Sequence, residues 1–197
     1  MPLLNFSRLR MVMLRSIAVI LPLQFASANA AELREVSVEK IGDRYHLSST
    51  TYFEASQSQL YNALTDFDKY PLFSTAFVEA ENLEPDEQGR PGFYTKMEGC
   101  ALLFCKSYIR VGYLELQPQH DIIAMIDPEQ SNFAYSRERW QLIPEGEGTI
   151  MIYDFEMEPA FWVPPLIGPY VIKRALKSSG AAAVGRIEAV ALAYYPR

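Results

Sequence analysis

Between residues 32 and 157 the apolar positions mostly alternate with polar ones, and after residue 169 they recur three and four apart. Alternation is the period of strands, and the longer spacing is the period of a helix. The alternating part breaks into segments at turn residues. Residues 32–53 form two strands around Gly42-Asp43, a strong hairpin signal. Ser56-Gln57-Ser58-Gln59 has the capping-box pattern, so a helix follows with Leu60, Tyr61, Leu64 and Phe67 inward. Tyr70-Pro71-Leu72-Phe73 then turns into a second short helix or loop. Strands are predicted over 76–83, 92–103, 105–117, 122–126, 133–143 and 149–157, separated by acidic or proline-bearing turns.

The last stretch, 169–194, reads as one helix of about 25 residues, roughly 37 Å long. Pro169 suits its first turn, where a missing N–H costs nothing. Ile172, Leu176, Ser179, Ala183, Ile187 and Val190 make its apolar stripe. Its middle is small: Ser178, Ser179, Gly180, Ala181, Ala182, Ala183, Val184 and Gly185. Glycine inside a helix costs about 1 kcal/mol relative to alanine. Two readings offset that cost: the backbone packs close to a sheet, or the small residues leave room for a guest. The approach to the helix, Phe161-Trp162-Val163-Pro164-Pro165-Leu166-Ile167-Gly168, is apolar and proline-stiffened, which is unusual for an exposed loop.

Taken together this is an α+β order, a meandering antiparallel sheet with one long helix across it. In a meander, alternate connections share an end. The loop at 101–104, the turn at 127–132 and the approach at 161–168 therefore fall at one end. Two of these three are strongly apolar, which marks a cavity mouth.

Composition changes the picture at the amino terminus. Arg8, Arg10 and Arg15 lead into a short apolar run over 17–25, and Ala28-Asn29-Ala30 precedes Ala31 as an A-x-A cleavage signal. Residues 1–30 read as a secretory signal peptide, with an uncleaved anchor as the alternative, and 31–197 as one domain. Setting aside those three arginines leaves 15 Lys and Arg against 24 Asp and Glu, a net charge of −9. Such a surface speaks against nucleic acid as a partner. The expected location is periplasmic or secreted, where disulfides form. Cys100 and Cys105 would face each other across a hairpin loop at 101–104, close to disulfide distance. The alternative is two small apolar residues in one continuous strand. Two thiols without nearby histidines do not make a metal site.

The chain contains no P-loop, no G-x-G-x-x-G, no H-E-x-x-H and no G-x-S-x-G. Its two histidines are His46, in an early strand, and His120, at a turn where solvation explains it. On strand 133–143, Leu142 and Trp140 set the inward face, which brings Glu138 to the cavity wall. A buried carboxylate there acts as an acid or base, or is held in a salt bridge at the cavity edge. On strand 149–157, Met151, Tyr153, Phe155 and Met157 share the inner face. Two methionines and two aromatics suit an irregular apolar guest, although ordinary core has the same composition.

Thr51-Tyr52-Phe53-Glu54-Ala55-Ser56, followed by Leu60-Tyr61-Asn62-Ala63-Leu64-Thr65-Asp66-Phe67-Asp68-Lys69-Tyr70-Pro71-Leu72-Phe73, resembles the opening of the START-like (SRPBCC) superfamily. The polyketide cyclase and coenzyme Q-binding branch is the most similar part. Trp140-Gln141-Leu142, Gly148-Thr149, Tyr153 and Val163-Pro164-Pro165 extend the resemblance over residues 45–193. It implies a helix-grip fold: a curved antiparallel sheet of about seven strands wrapping the long C-terminal helix, with two short helices after the first strand. It transfers no catalytic residue and no cofactor. The expected function is an exported binding protein for a hydrophobic small molecule such as a lipid or quinone. The expected wall is Glu138, Trp140, Leu142, Met151, Tyr153, Phe155 and Met157, with Leu176 and Ala183 from the helix. Leu102, Leu103, Phe104, Phe161 and Trp162 would form a mouth that touches a membrane or envelope protein transiently. Two alternatives stand beside it. One is a cyclase-like or isomerase-like enzyme using Glu138, Tyr153 or His46. The other is an envelope interaction module with a closed cavity.

Overall fold

The structure is a computed structural model, and it describes residues 31–101, 104–163, 166 and 168–197. Eight strands form one antiparallel sheet in the order β1-β2-β8-β7-β6-β5-β4-β3. They are β1 (Glu32–Ile41), β2 (Arg44–Phe53), β3 (Phe77–Leu83), β4 (Gly92–Ala101), β5 (Phe104–Gln117), β6 (Asp121–Ile126), β7 (Phe133–Glu145) and β8 (Gly148–Pro159). Between β2 and β3 lie α1 (Gln57–Thr65), a 3₁₀ turn (Phe67–Lys69) and α2 (Tyr70–Phe73). The chain ends in α3 (Gly168–Tyr194). The two short helices follow the second strand, because Gly42 turns β1 back onto β2 with φ +61°. That hairpin is why the sheet has eight strands where about seven were expected.

Local chemistry explains these elements. Ser56 caps α1: its side chain accepts from the Gln59 N–H, and the Gln59 carboxamide accepts from the Ser56 N–H at 3.0 Å. Each half of such a box satisfies a donor that the helix leaves orphaned. Gly112 lets β5 approach β6, since a Cβ there would sit 1.9 Å from the Met125 carbonyl oxygen. A bulge between Phe133 and Tyr135 sets the parity of β7, so Ser136, Glu138, Trp140 and Leu142 all face inward.

Helix α3 does not press evenly on the sheet. Its principal contacts are with α1, β1, α2 and β2. Val184, Ile187, Val190 and Ala191 in its C-terminal half are buried, while Ile172, Leu176 and Ala183 are only partly so. At the two glycines close packing is not the reason for their size: a methyl group added at Gly180 or Gly185 would meet nothing within 4 Å. Gly185 faces solvent, whereas Gly180 still has open space beside it. Ser178 and Ala182 line a groove of about 340 Å³, opposite Ser74, Thr75, Ala76 and Glu98.

Candidate functional site: a buried ion pair in an aromatic interior

The concave face of the sheet holds a charged pair among rings. The inward parity of β5 runs Tyr108, Arg110, Gly112, Leu114, and that of β7 brings Glu138 onto the same face. Arg110 is 2% exposed and Glu138 is 7% exposed. The Arg110 Nη1 lies 2.6 Å from the Glu138 Oε1. The guanidinium carbon is 5.7 Å from the ring centroids of both Phe93 and Phe155. A cation between two aromatic faces gains from their quadrupoles when it is desolvated.

The pair is incompletely satisfied. The Nε and Nη2 of Arg110 have no hydrogen-bond partner among the described residues. Thr95, directly across the strand pair from Arg110, has an unpartnered hydroxyl, as do Ser136, Tyr45 and Thr51. Buried polar groups are ordinarily bonded, so the free N–H groups of Arg110 and the Thr95 hydroxyl opposite it call for a ligand or water. Burial pushes the Glu138 carboxyl above its ordinary value, with Arg110 opposing that shift. Burial and the nearby Glu138 charge push the Tyr153 phenol well above its usual range.

The expected wall residues converge here. Trp140, Leu142, Met151, Phe155 and Met157 are buried on the concave face, and Trp140 packs on Tyr153 with ring centroids 5.5 Å apart. Leu176 and Ala183 are half-buried against the same core. Glu138 is held in a salt bridge, the structural one of its two expected roles. His46 does not join them. It lies half-buried on the convex face, 3.6 Å from Glu156, because it alternates with the inward Tyr45 and Leu47. It lines an open polar groove of about 450 Å³ with Arg137, Arg139 and Asp154. His120 is exposed at its turn. Arg110 and its neighbours Phe93 and Thr95 were not anticipated. The signal was present, since Leu114 and Leu116 fix the parity that turns Arg110 inward.

Of the residues expected at a mouth, Phe161 and Trp162 are described. Tyr108, Phe133 and Phe161 form an aromatic cluster, with Phe161 4.8 Å from Tyr108. The Asn132 N–H donates to the Ile109 carbonyl and the Ala160 N–H to the Asn132 carbonyl, so β5, the β6–β7 turn and the end of β8 meet at one end. Trp162 is 78% exposed and Leu166 is 94% exposed. Leu102 and Leu103 lie outside the described residues, as does the Phe104 side chain. The β4–β5 register pairs Cys100 directly with Cys105, although their side chains lie outside the described residues. No helix of the described residues is long and apolar enough to cross a membrane. Among the described residues no group of His, Cys, Asp and Glu is placed to hold a metal ion.

Residues 44–191 match the family described as polyketide cyclase/dehydrase and lipid transport. The chain belongs to this family. Its helix-grip architecture recurs in solved structures at low identity. A START superfamily protein from Mycobacterium smegmatis is 21% identical, with TM-score 0.58 over 74% of this chain and 98% of its own. The Zhui aromatase/cyclase from a Streptomyces species is 14% identical, with TM-score 0.62 over 76% of this chain and 94% of its own. A STAR-related lipid transfer protein fragment from Xanthomonas axonopodis is 11% identical, with TM-score 0.60 over 83% and 99%. No curated protein matches the chain. The fold is START-like, and the family joins hydrophobic-ligand domains with cyclases.

Proposed function

We propose that this is an exported binding protein for a hydrophobic small molecule with one polar oxygen end. Arg110 carries the reading: a buried guanidinium with two unbonded N–H groups, set among Phe93, Phe155 and Tyr153. A guest with a carbonyl, carboxylate or phenolic oxygen would meet those donors and the Thr95 hydroxyl. Its apolar body would lie against Trp140, Met151 and Met157, and reach Leu176 and Ala183 of α3. Apolar contact supplies most of the affinity, about 25 cal/mol per Å². The guanidinium supplies orientation, because a guest that cannot bond it leaves a buried donor unpaired. The open space at Gly180 supports room beneath the helix.

Export is supported by the leader pattern of residues 1–30 and by Cys100 and Cys105 standing opposite each other in register. A disulfide between them would lock the β4–β5 tip. The exposed Trp162 and Leu166 support a rim that touches a membrane or an envelope protein during transfer. The same-cavity enzyme reading is less favoured, because Glu138 is committed to Arg110 at 2.6 Å. The test is purification of the exported protein without detergent, followed by solvent extraction and mass spectrometry. A stoichiometric hydrophobic compound is expected. An empty extract, with no uptake of added fatty acid or quinone by wild type and no difference in Arg110→Met, would refute it.

A further inference from the structure

At the far end of α3 a second buried carboxylate lacks a cation. Glu188 is 6% exposed. Its Oε1 accepts the Glu54 N–H at 2.6 Å, and its Oε2 accepts from the Ala31 nitrogen at 2.6 Å. Among the described residues no Lys, Arg or His side chain lies within 4 Å of it. Helix α1, packed against α3, contains no charged residue. The buried Tyr70 of α2 spends its hydroxyl on the Leu64 carbonyl at 2.8 Å. On β2 the charged positions, Arg44 and His46, lie at the opposite end of the strand. On β1, Arg34 is drawn to Glu32 and Glu145. The remaining neighbours, Glu32 and Glu54, are themselves acidic. A carboxylate buried with two neutral N–H donors and no cation is costly.

One of those donors is the first nitrogen after the Ala28-Asn29-Ala30 signal. We propose that cleavage between Ala30 and Ala31 creates the missing cation, and that the new α-ammonium of Ala31 is bound as a buried ion pair by Glu188. In the cleavage, water adds across the Ala30–Ala31 peptide bond under a signal peptidase. The C–N bond breaks, the water oxygen joins the Ala30 carbonyl to give a carboxylate, and both protons of the water end on the Ala31 nitrogen, which leaves as ammonium. An amide there offers one neutral donor, whereas the ammonium offers three and a full charge. Glu188 already receives that nitrogen at charge-assisted hydrogen-bond distance. The inference rests on the export part of the proposed function and not on its ligand part. Its consequence is a fold that becomes complete only after the leader is removed: the mature terminus ties β1 to the β2–α1 corner and to α3.

The test uses the full chain, exported and processed in a bacterial envelope. Intact-mass analysis should place the terminus at Ala31. The unmodified α-amino group of the folded, nitrogen-15-labelled protein is then titrated by NMR through the Ala31 resonances. A folded value at least one pH unit above the ordinary 7.7–8.0 is expected, and Glu188→Gln should return it to that range. The sign follows: a raised amine stabilises the fold fully below the unfolded value, and the gain fades as pH rises through the folded value. For every pH unit by which the folded amine exceeds the unfolded one, the folding equilibrium gains tenfold. Should Glu188→Gln not fold, a chain extended by one glycine before Ala31 serves instead. Its folding constant should trail the wild type's at least tenfold at pH 6.5, and the gap should close in alkali. A terminus anywhere other than Ala31, or an ordinary amine value in the folded wild type, overturns the proposal. Uptake of a hydrophobic probe, read on the same sample, reports the ligand part separately.

Discussion

Replacing Arg110 and Glu138 singly and together separates a functional ion pair from a merely structural one. Both groups are almost wholly buried and 2.6 Å apart. Glu138→Leu leaves a desolvated guanidinium with no counter-charge, a loss of about 3–5 kcal/mol. For a chain of this size that lowers the melting temperature by roughly 6–20 °C. Arg110→Met should cost less in acid, because the orphaned carboxyl can take up a proton. Burial already holds Glu138 above its ordinary value. Without Arg110 opposing, it rises further. A carboxyl raised in the folded state stabilises fully below its unfolded value, near pH 4.3, and loses that gain as pH rises through the folded value. The Arg110→Met deficit should therefore grow from about pH 4 toward neutrality. The double replacement removes both charges, and its cost should fall to near zero or become a gain of about 1–4 kcal/mol. Urea unfolding at pH 5 and pH 8 measures all four proteins, with an unchanged m-value as the check on comparability. The double variant should be stable and yet fail to hold a ligand with a polar oxygen end. Additive single costs would refute the coupling, and full ligand affinity in the double variant would refute Arg110 as the anchor.

Three further outcomes are expected. Gly180→Ala and Gly185→Ala should each stabilise the protein by about 1 kcal/mol, since both sit in a helix with open space; only Gly180→Leu should also reduce ligand capacity, read by titration with a fluorescent fatty acid. Trp162→Ser with Leu166→Ser should leave melting within about 0.5 kcal/mol of wild type, because both side chains are exposed; transfer of ligand from vesicles should slow. The exported protein should weigh two hydrogens less per chain before reduction than after it, from a Cys100–Cys105 bridge, whose loss costs about 2 kcal/mol for so short a loop.

The architecture was legible because periodicity and turns agreed. Alternation located every strand, Gly42-Asp43 located the first hairpin, and Ser56…Gln59 located the helix start. Parity from Leu142 put Glu138 inward, and the structure places it there. Arg110 escaped because arginine ordinarily lies at the surface, so the residue type overrode the parity that Leu114 announced. Glu188 escaped for a related reason. On α3 it adjoins the apolar stripe at Ile187, but its partners are backbone nitrogens of Ala31 and Glu54, distant in sequence and invisible to any pattern of side chains. Buried charges are set by tertiary pairing, and a single sequence does not display it.

Glu188 divides α3 into unequal halves. Glu188 ties its C-terminal half to β1 and the β2–α1 corner, where Ile187, Val190 and Ala191 are also buried. Gly168 lies 20 residues earlier, about 30 Å away along the axis. Over that span the helix exchanges large buried residues for Ser178, Gly180 and Ala182, which border open space and a groove. Few buried apolar contacts mean low local stability. The half of α3 nearest Trp162 and Leu166 is thus the half that can yield. A guest held at Arg110, as proposed, would have to pass some edge of the grip, and the anchored end would offer none without breaking the Glu188 bonds. On that proposal, opening is expected at the Gly168 end. Hydrogen exchange tests this directly: amides of 170–182 should exchange much faster than those of 186–194, and ligand should slow the first group alone.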